Sequence, residues 1–182
     1  MPERVPHRQD AVKKVATRTA EGEAFSELVV HVFRLDGLLT AAGDALAEPA
    51  GQTTARWRVL AAVEETPMTV AQIARAWGLA RQSVQRVADL LAADGLVAYH
   101  DNPAHRRAQL VRITPRGRTT LQRIQAAQRN WANTLGEHIG EHDLWTANRI
   151  LARVTATLTD TPELRAHGSG SGSGTRRSTN PT

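Results

Sequence analysis

MTVAQIARAWGLARQSVQRVADLLAADGL, residues 68–96, reads as two short helices joined by a tight turn. Thr69 followed three residues later by Gln72 has the spacing of a capping box, so a helix should start there. Val70, Ile73, Ala74 and Trp77 recur at helical spacing and predict its buried stripe. Gly78 permits the turn, and a second helix begins near Ala80, with Val84, Val87, Ala88 and Leu91 facing inward and Gly95 closing it. Beyond Gly95 the apolar period shortens from about 3.6 to 2. LVAYH (96–100) and AQLVRI (108–113) flank Asp101-Asn102-Pro103, which is turn chemistry, so a two-stranded hairpin with a basic tip is expected.

Working outward, Phe25, Leu28, Val32, Leu35 and Leu39 form a narrow seam along a helix predicted from Ala24 to about Leu46, ended by Pro49 and Gly51. Thr53 or Thr54 opens a helix carrying Trp57, Leu60 and Val63 as far as Glu65, before Pro67. On the far side of the hairpin, Thr114-Pro115 starts a long helix with Leu121, Ile124, Trp131 and Leu135 on its seam. Gly140 interrupts it, and a last helix from about Glu141 carries Leu144, Leu151, Val154 and Leu158 until Pro162. The fold class is therefore mainly α with a small β-hairpin wing: a winged helix-turn-helix domain at 53–117 and a helical dimerisation region at 24–50 and 118–162. Residues 1–22 read as a flexible, basic arm and 167–182 as a Gly/Ser tail. The terminal seams exceed what one small lobe can cover, which predicts a symmetric homodimer. Such a dimer would offer two reading helices to successive turns of DNA, about 34 Å apart.

Composition narrows the function. Of 182 residues 41% are hydrophobic, 29 of them alanine, and only 4% are aromatic, which suits a helical core. The absence of cysteine excludes disulfides, thiolate metal sites, cysteine nucleophiles and thiol redox sensing. No eighteen-residue uncharged apolar run occurs, and MPERVPHRQD lacks the apolar core of a signal peptide, so a cytoplasmic location is expected. The net charge of +5 is concentrated: residues 53–118 hold ten Arg against five acids, and the remaining segments balance. That asymmetry points to a polyanionic partner for the middle third. No Gly-x-Ser-x-Gly elbow, phosphate loop or dinucleotide fingerprint is present, so no enzyme activity is expected.

In a helix-turn-helix the early residues of the second helix meet base edges in the major groove. Here those are Arg81, Gln82, Ser83, Gln85 and Arg86. Arg can bond guanine O6 and N7 together, and Gln can do the same with adenine N6 and N7. At the hairpin tip, Arg106 and Arg107 suit a minor-groove or phosphate contact. Arg56, Arg58, Arg75, Arg112 and Arg116 suit backbone contacts or intramolecular pairing. Two other readings stay open. A winged helix can serve as a protein–protein scaffold, although the arginine load would then be superfluous. His138 with His142 beside Glu137 and Glu141, or His100, Asp101 and His105 on the wing, could gather a metal.

Residues 69–117 resemble the MarR family of bacterial transcriptional regulators. The likeness rests on RQSVQRVADLL, on GLV entering the wing, on the Asp101–Arg107 wing and on Ile113-Thr114-x-x-Gly117, with the element order extending it over about 24–162. The chain departs from the pattern at His105, where an acid is common, and at Ala80, where Ser or Thr is common. The resemblance implies a homodimer on a pseudo-palindromic double-stranded operator, acting as a repressor. It implies release by a small aromatic or phenolic effector held in a pocket that His31, Arg34, Trp57 and Trp131 would line. Some members of the family sense zinc; no cofactor is otherwise implied.

Overall fold

The first helix, α1 (Ala20–Ala47), begins one turn earlier than its apolar seam predicts. Thr19 explains the difference: its hydroxyl accepts from the Gly22 N–H at 3.1 Å, and Glu21 and Glu23 fill the first turn, where acids complement the helix dipole. The structure is a computed structural model and describes residues 17–104 and 107–161. The expected arm and tail fall largely outside those residues.

A single 3-10 turn at Glu48–Ala50 leads from α1 to α2 (Thr54–Ala62). Thr54 ties the two helices together. Its N–H donates to Asp44 Oδ1 at 2.6 Å and its hydroxyl donates to the Thr40 carbonyl at 2.9 Å. The hydrogen bonds from Thr54 hold the Asp44 carboxyl below its usual range. Such a depressed carboxylate stabilises the fold above the ordinary aspartate range, and that contribution disappears as pH falls through its lowered value. We expect Asp44→Ala to cost about 0.5 kcal/mol near neutral pH, the low end of a helix-cap contribution because the carboxylate faces solvent. The deficit should shrink in acid. Urea titrations of both proteins at pH 7 and near pH 3 check this, and an equal deficit at both pH values would refute it.

α2 ends at Ala62, short of the expected Glu65, because Val63 leaves helical geometry to bury itself in the core. After Pro67 come β1 (Met68–Thr69), α3 (Val70–Trp77) and α4 (Arg81–Ala93). The capping box is present as expected: Thr69 Oγ1 accepts from the Gln72 N–H at 3.3 Å, and Gln72 Oε1 accepts from the Thr69 N–H at 2.8 Å. Gly78 adopts φ 62°, a left-handed conformation that costs a glycine little, and this starts the turn into α4.

Two expectations are corrected here. Trp77 is not part of the buried stripe but 46% exposed. α3 stops at Trp77, the Leu79 N–H bonds back to the Ala74 carbonyl at 2.8 Å, and Leu79 packs against the core instead. The sheet has three strands rather than two, in the order β1-β3-β2, with β2 (Val97–His100) and β3 (Leu110–Ile113) as the hairpin. Met68 and Thr69 pair antiparallel with Val111 and Leu110. This short pairing holds the chain against β3 before it turns into α3.

Leu60, Ile73, Leu91 and Leu121 are fully buried, with Val59, Val63, Val84 and Val111 around them. Each such side chain contributes roughly 1.5–3 kcal/mol on leaving water. The long helix α5 (Pro115–Ile139) starts against this core, Leu121 being part of it. By its contacts the chain divides into two units, one ending at Gln125 and one beginning at Ala126. The second unit comprises the rest of α5 and α6 (Glu141–Asp160), with Gly140 between them. α6 has no buried residue, and Trp145 on it is 64% exposed. No helix among the described residues is long and apolar enough to cross a membrane.

Candidate nucleic-acid interface

α4 has two chemically distinct faces. Val84, Ala88 and Leu91 are buried and Val87 is half-buried against the core, while Arg81, Gln82, Ser83, Gln85 and Arg86 are all exposed. Inward residues recur at three- and four-residue steps, so the same periodicity that seats the helix turns its early polar residues outward. Ala80 caps α4 without a side-chain hydrogen bond. The first N–H groups of the helix therefore lack the side-chain acceptor a Ser or Thr would supply.

The base of the wing is fixed by Thr114. Its single hydroxyl hydrogen is shared between the Gly95 and Leu96 carbonyls, 2.8 and 3.1 Å away, and its oxygen accepts from the Gly117 N–H at 3.0 Å. In the loop beyond β2, the Asn102 side-chain oxygen accepts from the Ala104 N–H at 3.0 Å. Arg107 is exposed, whereas Arg106 and His105 lie outside the described residues. Arg107 shares a cleft of about 140 Å³ with Arg81, Gln85, Tyr99 and Thr69. Two of the arginines expected to meet DNA, one from the helix and one from the wing, thus line the same concavity.

The ion pairs among the described residues are Arg18–Glu23, Arg56–Asp94 and Arg58–Asp36. Arg56 also donates to Gln52 Oε1 at 2.7 Å. Arg56 and Arg58 therefore act within the fold, whereas Arg81, Arg86 and Arg107 keep their charge available.

Asp89 and Tyr99 belong to this surface and were not among the expected site residues. The Tyr99 hydroxyl donates to Asp89 Oδ1 at 2.6 Å, and Gln85 Nε2 donates to Asp89 Oδ1 and to the Tyr99 oxygen, each at 2.9 Å. Burial, followed by the Asp89 hydrogen bond and charge, pushes the Tyr99 phenol up to about 12. The four-residue step from Gln85 to Asp89 was the available signal, since amide–carboxylate pairs at that spacing meet on one helix face.

His31 and Arg34 are exposed on α1, Trp57 is half-buried against the core, and Trp131 is half-buried in the second unit. No group of three or more His, Asp or Glu is gathered to hold a metal among the described residues. His138 Nδ1 lies 2.7 Å from the Thr134 carbonyl, and Gly140 ends the helix before His142.

Comparison with known proteins supplies the context. The profile of the MarR family matches residues 50–108, from the end of the first interhelical turn into the wing. The uncharacterized protein Rv2011c of Mycobacterium tuberculosis is 37% identical over 136 residues, spanning 75% of this chain and 95% of its own length. Among solved structures, the transcriptional regulator BldR from Sulfolobus solfataricus superposes with a TM-score of 0.66 at 22% identity, covering 75% of this chain and 99% of that one. The transcriptional repressor CouR, bound to a 23-mer DNA duplex, does so with a TM-score of 0.65 at 23% identity, covering 76% and 99%. At these identities the two structures share the fold.

Proposed function

Because the chain belongs to the MarR family of transcription regulators, DNA-binding proteins rather than enzymes, we propose that it acts in the cytoplasm as a homodimeric, ligand-released repressor on a pseudo-palindromic operator. The observation that carries the reading is the exposed row Arg81, Gln82, Ser83, Gln85 and Arg86 over a buried Val84, Ala88 and Leu91. In this reading Arg81 and Gln85 meet base edges and Arg107 meets the flanking phosphate backbone. The direction of regulation rests on the family resemblance alone.

Dimerisation is supported by α1. Of the predicted seam, Phe25, Val32, Leu35 and Leu39 are 38–47% exposed and Leu28 is half-buried, and Phe33 on the same helix is 73% exposed. An apolar run of that extent on a water-facing helix is the mark of an interface. The effector part of the proposal rests on the family resemblance, with His31, Arg34, Trp57 and Trp131 as the pocket residues. A Trp57→Ala protein that retains its ligand response would remove Trp57 from that set.

Footprinting on the DNA upstream of the protein's own coding region, with affinity followed against salt, tests the core of the proposal. We expect two protected half-sites about one helical turn apart. Log affinity should fall against log salt with a slope of about 0.9 per phosphate contact. A monomer in sedimentation, or an affinity for duplex DNA that ignores salt, would overturn it.

A further inference from the structure

The amide of Gln85 is held by one end. The Tyr99 hydroxyl, on β2, donates to Asp89 Oδ1, on α4, at 2.6 Å. Gln85 Nε2 lies 2.9 Å from each of those two oxygens. Because the oxygens are so close together, one shared amide hydrogen accounts for both contacts, and neither needs the second. Chemistry fixes which end of the amide faces them. A carboxylate only accepts, and the phenol has committed its single hydrogen to that carboxylate, so neither oxygen has a hydrogen to offer Gln85. Turning the amide over would set Oε1, which has only lone pairs, against two other oxygens with no hydrogen between them. Burial, followed by the Asp89 hydrogen bond, pushes the Tyr99 phenol up to about 12, so this arrangement does not come apart by titration near neutral pH. Gln85 is nevertheless exposed, and its Oε1 accepts no hydrogen bond from the described residues.

Orientation matters because the two ends of a glutamine amide suit opposite bases. The oxygen accepts from adenine N6 or cytosine N4, and the nitrogen donates to guanine O6 or thymine O4. A glutamine free to turn over exchanges its ends and meets either set, so it discriminates poorly. We propose that Asp89 and Tyr99 are positioning residues that stop Gln85 from turning over, so that its amide meets the operator base in one fixed orientation. Neither residue needs to touch DNA for this. The inference rests on the operator-binding reading above and deepens it, by naming the residues that set base choice behind the one that makes it. It also accounts for an acid on the reading helix. Asp89 is the only acidic residue of α4 and shares its exposed face with Arg81, Gln82 and Arg86, where a carboxylate opposes the approach of phosphate. Anchoring the amide offsets that loss of affinity with a gain in specificity.

The test is selection of the full-length protein on a random-sequence duplex library, followed by affinities for single-base variants of the recovered site. Gln85→Ala identifies the position concerned, as the one whose base preference disappears. The quantity read is the affinity ratio there between the best base and a base of the opposite donor–acceptor pattern. A change in protein charge acts through phosphates, which carry no sequence information, and cancels from that ratio. Asp89→Asn keeps the shape, but its own amide can accept or donate, so Gln85 can sit either way round. This variant should lower the ratio about fivefold, the worth of one hydrogen bond, and leave other positions unchanged. Tyr99→Phe keeps the carboxylate and should lower the ratio about twofold. In a Gln85→Ala background neither change should alter any preference. An undiminished ratio in either variant would overturn the inference while leaving operator binding intact. So would equal loosening at positions that Gln85→Ala does not touch, or a Gln85→Ala protein with every preference unchanged. Should Asp89→Asn fail to fold, Tyr99→Phe decides by the same ratio. A library from which nothing is enriched would instead overturn the operator reading, and this inference with it.

Discussion

Gly117→Ala should cost about 3 kcal/mol, at the upper end of what overpacking usually does. A Cβ at that position would lie 2.0 Å from the Leu96 carbonyl oxygen and 2.9 Å from Ile113 Cγ1. The first obstacle is backbone, so no rotamer change relieves it. Nor is the carbonyl free to withdraw, since it accepts from the Thr114 N–H at 3.0 Å and from the Thr114 hydroxyl at 3.1 Å. To admit one methyl group, the first turn of α5 must lift off the base of the wing, which takes the Thr114 cap with it. In a chain of this size 1 kcal/mol corresponds to about 2–4 °C, so a fall in Tm of roughly 6–12 °C is expected. Thermal unfolding followed by circular dichroism measures it. A variant that melts within about 2 °C of the parent would show that the approach of α5 to the wing is not as described.

Arg81→Ala should leave folding almost unchanged and weaken cognate operator binding by about 1–3 kcal/mol, roughly 5- to 150-fold. Arg81 is the first residue of α4, exposed, and in none of the ion pairs among the described residues, so its removal breaks nothing inside the protein. If it reads a base, affinity for random duplexes should fall much less than affinity for the cognate site, and base choice at one position should relax. Arg107→Ala provides the contrast. A phosphate contact carries no sequence information, so cognate and random DNA should weaken alike and the salt slope should drop by about one. The two arginines share a cleft, yet these signatures separate them. Equal losses on cognate and random DNA in Arg81→Ala would assign that residue to the backbone instead.

Much of the interface was legible along the chain. The outward row on α4 follows once Val84, Ala88 and Leu91 are seen to be apolar at helical spacing, because one face determines the other. The Thr69–Gln72 box, the Gly78 turn and the Thr114 start of α5 are contacts over three or four residues, and their side chains carry the information locally. Trp77 shows where that logic stops. Its position in the stripe is right for an unending helix, but α3 ends there and Leu79 takes the core site. Intramolecular pairing of Arg56 and Arg58 was among the expectations, but their partners, Asp94 and Asp36, were unreadable, since each lies on another element.

By itself the sequence determined what depends on neighbours a turn or so apart: the capped starts of α3 and α5 at Thr69 and Thr114, which face of α4 is wet, and that the positive charge gathers in residues 53–118. Tertiary structure alone decided that Met68 and Thr69 add a third strand beside Val111 and Leu110, and that Tyr99 of β2 comes within hydrogen-bond reach of Gln85 and Asp89 on α4. The reason is physical. A hydrogen bond reaches only about 3 Å between donor and acceptor, so a pairing between distant segments is decided only once they are folded against one another.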